Sequence, residues 1–387
     1  YAEACVSSRY AYYIGWFLSI IYYPCLTSVL AWLSARYTLV FITSVAPNFP
    51  LLGLGAAAGA ETILGPECMS LAMFYLCCAY AVNALSPKLA GKLQVSTTII
   101  KLIPLFLMAV VGIIVGLANG TLANNFNTLA DVGTTSTNPL FASVCATAFA
   151  YEGWIIATSI NAELKDAKKN LPRALVIGAI IIIATYIFYY VGVAGGATNQ
   201  ELIDSGATVA FINVFGNVLG NILNLFIAIS CIGTMNGLML GCVRGLYSIA
   251  VRGRGPAPHV FSQIDKETNM PHNSAIVGLL LCGFWGLYFF LANLAGTWSG
   301  PFVFDSSELP IITIYMLYLP IFVMWIKKAT DESAMRRYVL PLLAICGSLF
   351  MIYASIMGHG IACFWYLIVF AAVMAVGFAF SKEKPIN

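Results

Sequence analysis

Residues 140–163 read LFASVCATAFAYEGWIIATSINAE, an apolar stretch long enough to cross a bilayer with an acid, Glu152, near its centre. An ionisable group at mid-bilayer costs about 2.5 kcal/mol or more and usually faces a cavity. Gly153 and the small residues beside it weaken the helix at that point. Unwound backbone at membrane depth is tolerated only where it is buried in protein or lines a cavity. Broken helices of transporters point their free N–H and C=O groups at ionic substrates there. A zwitterionic ligand would need both kinds of partner, donors for its anionic group and acceptors for its cationic one. The stretch therefore reads in two ways. It is an interrupted helix at a substrate site, or it carries a buried Glu paired to a neighbouring helix away from any site.

The rest of the chain has a matching composition. Of its 387 residues 60% are hydrophobic and 9% charged, with a mean hydropathy of +0.87. Soluble domains carry about 25% charged residues. That deficit excludes a cytosolic enzyme, a secreted disulfide scaffold and a disordered chain. It leaves an all-α polytopic membrane protein whose surroundings are the lipid bilayer. A net charge of +3 and the lack of a basic stripe argue against a nucleic-acid partner. The 11 cysteines are scattered through apolar stretches, without C-x-x-C or Cys/His ligand spacing. They read as small apolar fillers, and no metal, redox or cofactor site is predicted. His259, His272 and His359 lie in or beside loops and form no visible relay.

Ten spanning segments are predicted, at 12–35 (extending to 43), 67–86, 94–118, 140–163, 172–196, 211–250, 273–293, 308–326, 338–357 and 361–380. If they alternate, every Lys and Arg except Arg36, Lys101 and Arg244 falls on the Arg9 side. The opposite loops hold Glu61, Glu67, Asp131, Glu201, Asp204, Asp305 and Glu308 and no basic residue. The Arg9 side is thus predicted to be cytoplasmic. Arg36 and Arg244 lie near segment ends, where they snorkel or pair. The chain opens on Tyr1 with YAEACVSSRY, too short and polar to span, and an upstream stretch is expected.

Lys101 lies inside the third segment, roughly 10 Å from its Gln94 end at about 1.5 Å rise per residue. It reads either as snorkelling to the interface or as a fixed cation that replaces a coupling sodium ion. Pro104 leaves the Ile100 carbonyl without its usual helical donor. In the sixth segment Gly233, Gly237, Gly241 and Gly245 form one stripe suited to close helix contact. Ser230 and Thr234 lie on the same stripe and could face Lys101. Gly112 with Gly116 and Gly216 with Gly220 read as weaker packing pairs. Tyr186, taken alone, reads as an interface or core residue whose hydroxyl needs a partner. The same holds for Tyr22.

Three stretches carry a resemblance: IIKLIP around Lys101, FAYEGWIIATSINAELKDAKKNLPRA from Phe149, and SCIGTMNG from Ser230. Through them the chain resembles the L-type amino acid transporter branch of the amino acid–polyamine–organocation superfamily, including bacterial alanine–serine–cysteine and serine–threonine exchangers. The resemblance implies a five-plus-five inverted-repeat, LeuT-like fold of twelve helices in one transmembrane domain over 1–387. Residues 1–11 would be the remnant of helix two, 12–118 helices three to five, 139–326 helices six to ten and 338–380 helices eleven and twelve. Helix one and most of helix two would lie outside the chain, which would be N-terminally incomplete.

The resemblance also implies roles for single residues. Phe149 would be the outer lid. The backbone of Phe149, Ala150 and Glu152, at the Tyr151–Gly153 break, would accept from the substrate ammonium. Tyr186 would line the site with its hydroxyl. Lys101 would occupy the sodium position beside Ser230 and Thr234. Tyr22, Leu26 and Ile155 would set side-chain selectivity. The expected partners are amino acids and the bilayer, with room for an accessory subunit. The expected function is exchange of small or medium neutral L-amino acids across the plasma membrane, without sodium. Proton-coupled or facilitated uptake is the alternative. A membrane-embedded enzyme would need a nucleophile–base or metal constellation at depth, and the sequence offers none. A receptor or scaffold of transporter fold is a further class.

Overall fold

The computed structural model describes residues 1–46, 65–128, 138–153, 155, 166–294, 298 and 300–383. Among these residues there are helices and no strands. The long helices are α1 (Ser8–Val45), α2 (Pro66–Leu85), α3 (Lys88–Ala118), α5 (Ala167–Gly196), α6 (Ala207–Ala250), α7 (His272–Leu294), α8 (Leu309–Lys328), α9 (Met335–His359) and α10 (Ile361–Ala379). Each is long and apolar enough to span. Between α3 and α5 lies α4 (Pro139–Tyr151), 13 residues long. It is the first half of the expected fourth segment. The second half, apart from Ile155, lies outside the described residues. So do Glu61, Asp131, Lys165 and Lys384.

Helix α1 is the axis of the molecule, with most of its apolar window buried, whereas no part of the window of α5 is buried. Lipid is as apolar as a leucine side chain, so helices here associate through close packing of small residues. The glycine stripe of α6 does this against two partners in turn. A Cβ on Gly233 would overlap Thr97 of α3, and one on Gly237 would stand 3.3 Å from Gln94. Further along, a Cβ on Gly241 would stand 2.9 Å from the Tyr23 ring and one on Gly245 2.8 Å from the Ser19 hydroxyl, both on α1. A Cβ on Gly278 of α7 would stand 2.6 Å from the Cys242 carbonyl oxygen. Cys25, Cys242 and Cys282 fill the space between these helices as free thiols. Helix α5 adheres to α3 through Gly112 and Gly116, whose hydrogens face Gly192 and Gly195.

Two breaks in regularity have identifiable causes. Pro24 in α1 cannot donate to the Ile20 carbonyl, and the backbone widens into a π-helical stretch over Leu18–Tyr22. The Ile20 carbonyl instead accepts from Trp285 Nε1 at 2.9 Å. In α6, Gly216 has φ 76° and ψ 170°, which folds Ala207–Phe215 back on the rest of the helix. Gly220 then lies 2.9 Å, at its would-be Cβ, from the Ile212 Cα. Gly216 is therefore a hinge, not the packing residue its spacing suggested.

The first residues, the loop after α6 and the chain's last described residues meet on one face. Arg252 lies 3.9 Å from Glu3, Arg254 lies 3.7 Å from Glu383, and Gly255 N–H donates to the Phe380 carbonyl at 3.1 Å.

Candidate substrate site

Asn138 opens α4 by accepting from Phe141 N–H at 3.4 Å, and Pro139 begins the first turn with its preset φ. The helix stops at Tyr151. Glu152 is extended, at φ −75° and ψ 155°, and Gly153 has φ 124°, a conformation suited to glycine. The interruption falls where Glu152 and Gly153 placed it in the sequence. A helix end of this kind presents carbonyls without helical donors and the negative pole of the macrodipole.

The break opens on a cavity of about 860 Å³, within the roughly 300–1,000 Å³ usual for small-molecule sites. Tyr22, Leu26 and Leu30 reach it from α1, Lys101 from α3, Phe149–Gly153 from α4 and the break, and Tyr186 from α5. Thr234 and Leu238 of α6 and Ile311 and Tyr315 of α8 complete the inner wall. The π-helical stretch ends on Tyr22, which is fully buried, and the Tyr22 hydroxyl donates to Glu152 Oε1. Glu152 Oε2 is buried without a hydrogen-bond partner among the described residues. Tyr186 is held at the break by the Tyr151 ring, edge to face at 5.1 Å.

Lys101 and Glu152 are the charged side chains on this wall. Lys101 is half-buried, and its ammonium has no hydrogen-bond or ion-pair partner among the described residues. The Thr97–Gly233 and Gln94–Gly237 contacts fix α3 and α6 antiparallel. That register carries Lys101, one turn beyond Thr97, to the level of Ser230.

Most of the expected site residues thus converge: Phe149, Ala150, Tyr151, Glu152, Gly153, Tyr186, Tyr22, Leu26, Lys101 and Thr234 all line one cavity. Two differ. Ile155 is buried, 3% exposed, off the cavity wall. Ser230 is also off the wall, and its carbonyl accepts from the Thr234 hydroxyl at 3.1 Å. The contribution of α8 was missed. Ile311 and Tyr315 stand at i and i+4, but nothing in an all-round apolar helix marks which face meets a cavity.

A bundle of long apolar helices, with a cavity at the end of α4, defines a multi-pass membrane protein. The chain belongs to the amino acid permease family, whose model matches residues 1–380. It is similar to the serine/threonine exchanger SteT of Bacillus subtilis (strain 168), 26% identical over 395 residues. That alignment takes in 99% of this chain and 81% of the relative. It is also similar to the Asc-type amino acid transporter 1 of Mus musculus, 27% identical over 271 residues, 69% of this chain and 47% of the relative. The b(0,+)-type amino acid transporter 1 of Rattus norvegicus is 26% identical over 294 residues, 75% of this chain and 57% of the relative. The chain spans about half the length of these two animal relatives. Amino acid transport and exchange are the activities of this family.

Proposed function

We infer that the protein exchanges small or medium neutral L-amino acids across the plasma membrane by alternating access, without sodium and with its Lys/Arg-rich loops in the cytoplasm. The observation that carries this reading is the break of α4 at Glu152–Gly153 in the wall of the cavity. The end of α4 and the unpartnered Glu152 Oε2 suit an ammonium group. The Tyr22 and Tyr186 hydroxyls and Thr234 supply further polar contacts to a zwitterion. Leu26, Leu238 and Ile311 leave an apolar remainder for an uncharged side chain. Lys101 stands as a tethered cation where a sodium-coupled mechanism would need a free one. Amino acids and the bilayer are the partners the reading requires.

Uptake of labelled serine into liposomes holding the protein tests it. Uptake should rise severalfold when unlabelled serine is loaded inside and should not change when choline replaces sodium. Uptake driven by an inward proton gradient, and indifferent to internal serine, would favour proton coupling with Lys101 as a titrating group. Strict dependence on sodium would refute both.

A further inference from the structure

Away from the cavity, three helices bring a thiol, a carboxylate and an imidazole together. Cys145 is on α4, Glu308 is the N-cap of α8 and His359 ends α9. One ligand atom from each lies within 4.8 Å of the others. His359 Nε2 and Glu308 Oε2 are 2.9 Å apart. Cys145 is fully buried, and the His359 and Glu308 side chains are 15% and 17% exposed. Neither a metal site nor a role for His359 is predicted from the sequence. The three residues come from separate segments, so no local spacing could announce them.

The surrounding packing makes the cluster reproducible. Gly358 presses on the first turn of α4, and a Cβ there would stand 3.1 Å from Ala142 N. The Phe141 ring meets Tyr353 edge-on at 5.3 Å. Phe141 and Cys145 stand at i and i+4, so Cys145 shares the face of α4 that α9 covers. Asp305 Oδ1 accepts from Ser307 N–H at 2.7 Å and Glu308 N–H at 2.9 Å, which fixes the backbone that carries the carboxylate.

We propose that Cys145, Glu308 and His359 bind a zinc ion, or a divalent ion of like chemistry, which ties α4 to α8 and α9 and slows transport. Zinc takes thiolate, imidazole and carboxylate at about 2.0–2.3 Å, which sets neighbouring ligand atoms of a tetrahedron about 3.5 Å apart. The 2.9 Å contact and the 4.8 Å limit bracket that separation, so small side-chain shifts admit the ion. Water fills the fourth position. Calcium and magnesium prefer all-oxygen sites and do not suit this set. On binding, a Zn–S bond replaces the Cys145 S–H bond and the proton passes to water. His359 ligates through the lone pair of neutral Nε2 and gives up its contact with Glu308. The end of α4 at Tyr151 is roughly 9 Å along the axis from Cys145, at about 1.5 Å per residue. A tether there restrains the break at the cavity. The tether rests on the proposed transport function, while the site itself does not.

The purified protein titrated with Zn²⁺ against a chromophoric chelator should bind one ion per chain, more tightly as pH rises. Cys145→Ser and His359→Gln should each weaken binding by at least about tenfold, the low end for disturbing a metal site. His359→Cys, which keeps a zinc ligand, should bind and so separates ligand loss from misfolding. In liposomes, external Zn²⁺ should slow serine uptake by wild type and not by Cys145→Ser. Absence of binding, or binding that both substitutions leave unchanged, overturns the site. Binding at these residues with undiminished uptake overturns the tether. If zinc-free protein moves no serine, the transport reading fails, and the titration still decides the site.

Discussion

Lys101 and Glu152 share the cavity wall in different circumstances. Glu152 accepts from Tyr22. Lys101 has no such partner among the described residues, although an ammonium at depth is costly unless hydroxyls or carbonyls solvate it. Thr234 lines the same wall, and the α3–α6 register sets Ser230 at the level of Lys101. Lys101→Ala should therefore abolish most exchange and leave thermal unfolding in detergent nearly unchanged. Lys101→Arg should not restore it, because the planar guanidinium needs a different donor geometry from a compact ammonium. Full exchange by Lys101→Ala would reduce Lys101 to a snorkelling residue. Tyr22→Phe probes the other charge. It leaves Glu152 Oε1 without its donor, at a cost of about 1–3 kcal/mol for an orphaned buried group. The variant should unfold at a lower temperature, and an unchanged midpoint would mean that water replaces the hydroxyl.

Among the elements, helix contacts depend on where a glycine hydrogen faces another backbone. A Cβ at Gly192 would overlap the Met108 carbonyl, whereas one at Gly347 would meet nothing within 4 Å. Gly192→Ala should force α3 and α5 apart and cost about 1–3 kcal/mol. Gly347→Ala should be neutral or should stabilise by up to about 1 kcal/mol through helix propensity. Unfolding midpoints in detergent compare the two, and equal midpoints would show that α5 does not depend on this contact. The same comparison shows what the sequence reveals about elements. Spacing by four identified Gly233–Gly245 as a stripe, because periodicity is a property of one helix. It did not reveal that the stripe serves α3 first and α1 afterwards, which depends on how three helices cross. It misread Gly216, since a hinge and a packing glycine look alike until φ is known. The α4 break was legible because Glu152 and Gly153 sit together in an apolar run. The Cys145–Glu308–His359 cluster was not, because its members meet only through the packing of α4 against α8 and α9.

For the whole molecule, substrate choice follows from the balance of charge around the cavity. Lys101 and Glu152 contribute one charge of each sign, and the other lining residues contribute none. A zwitterion with an uncharged side chain enters without upsetting that balance. An acidic side chain would be repelled by Glu152 in a wall that is otherwise largely apolar, where charge repulsion is poorly screened. A basic side chain is the closer contest, because Glu152 Oε2 is buried without a partner among the described residues and attracts cations. The Tyr22 hydrogen bond and the attraction of Glu152 for the substrate's own ammonium both reduce what remains for a second positive group. Alanine, serine and threonine should therefore compete with labelled serine, glutamate should not, and arginine should compete more weakly than alanine. Glu152→Gln should weaken serine uptake without admitting glutamate, because the end of α4 still favours positive charge. Stronger competition by arginine than by neutral amino acids would mean that Glu152 recognises the substrate side chain, and would overturn the assignment to neutral substrates.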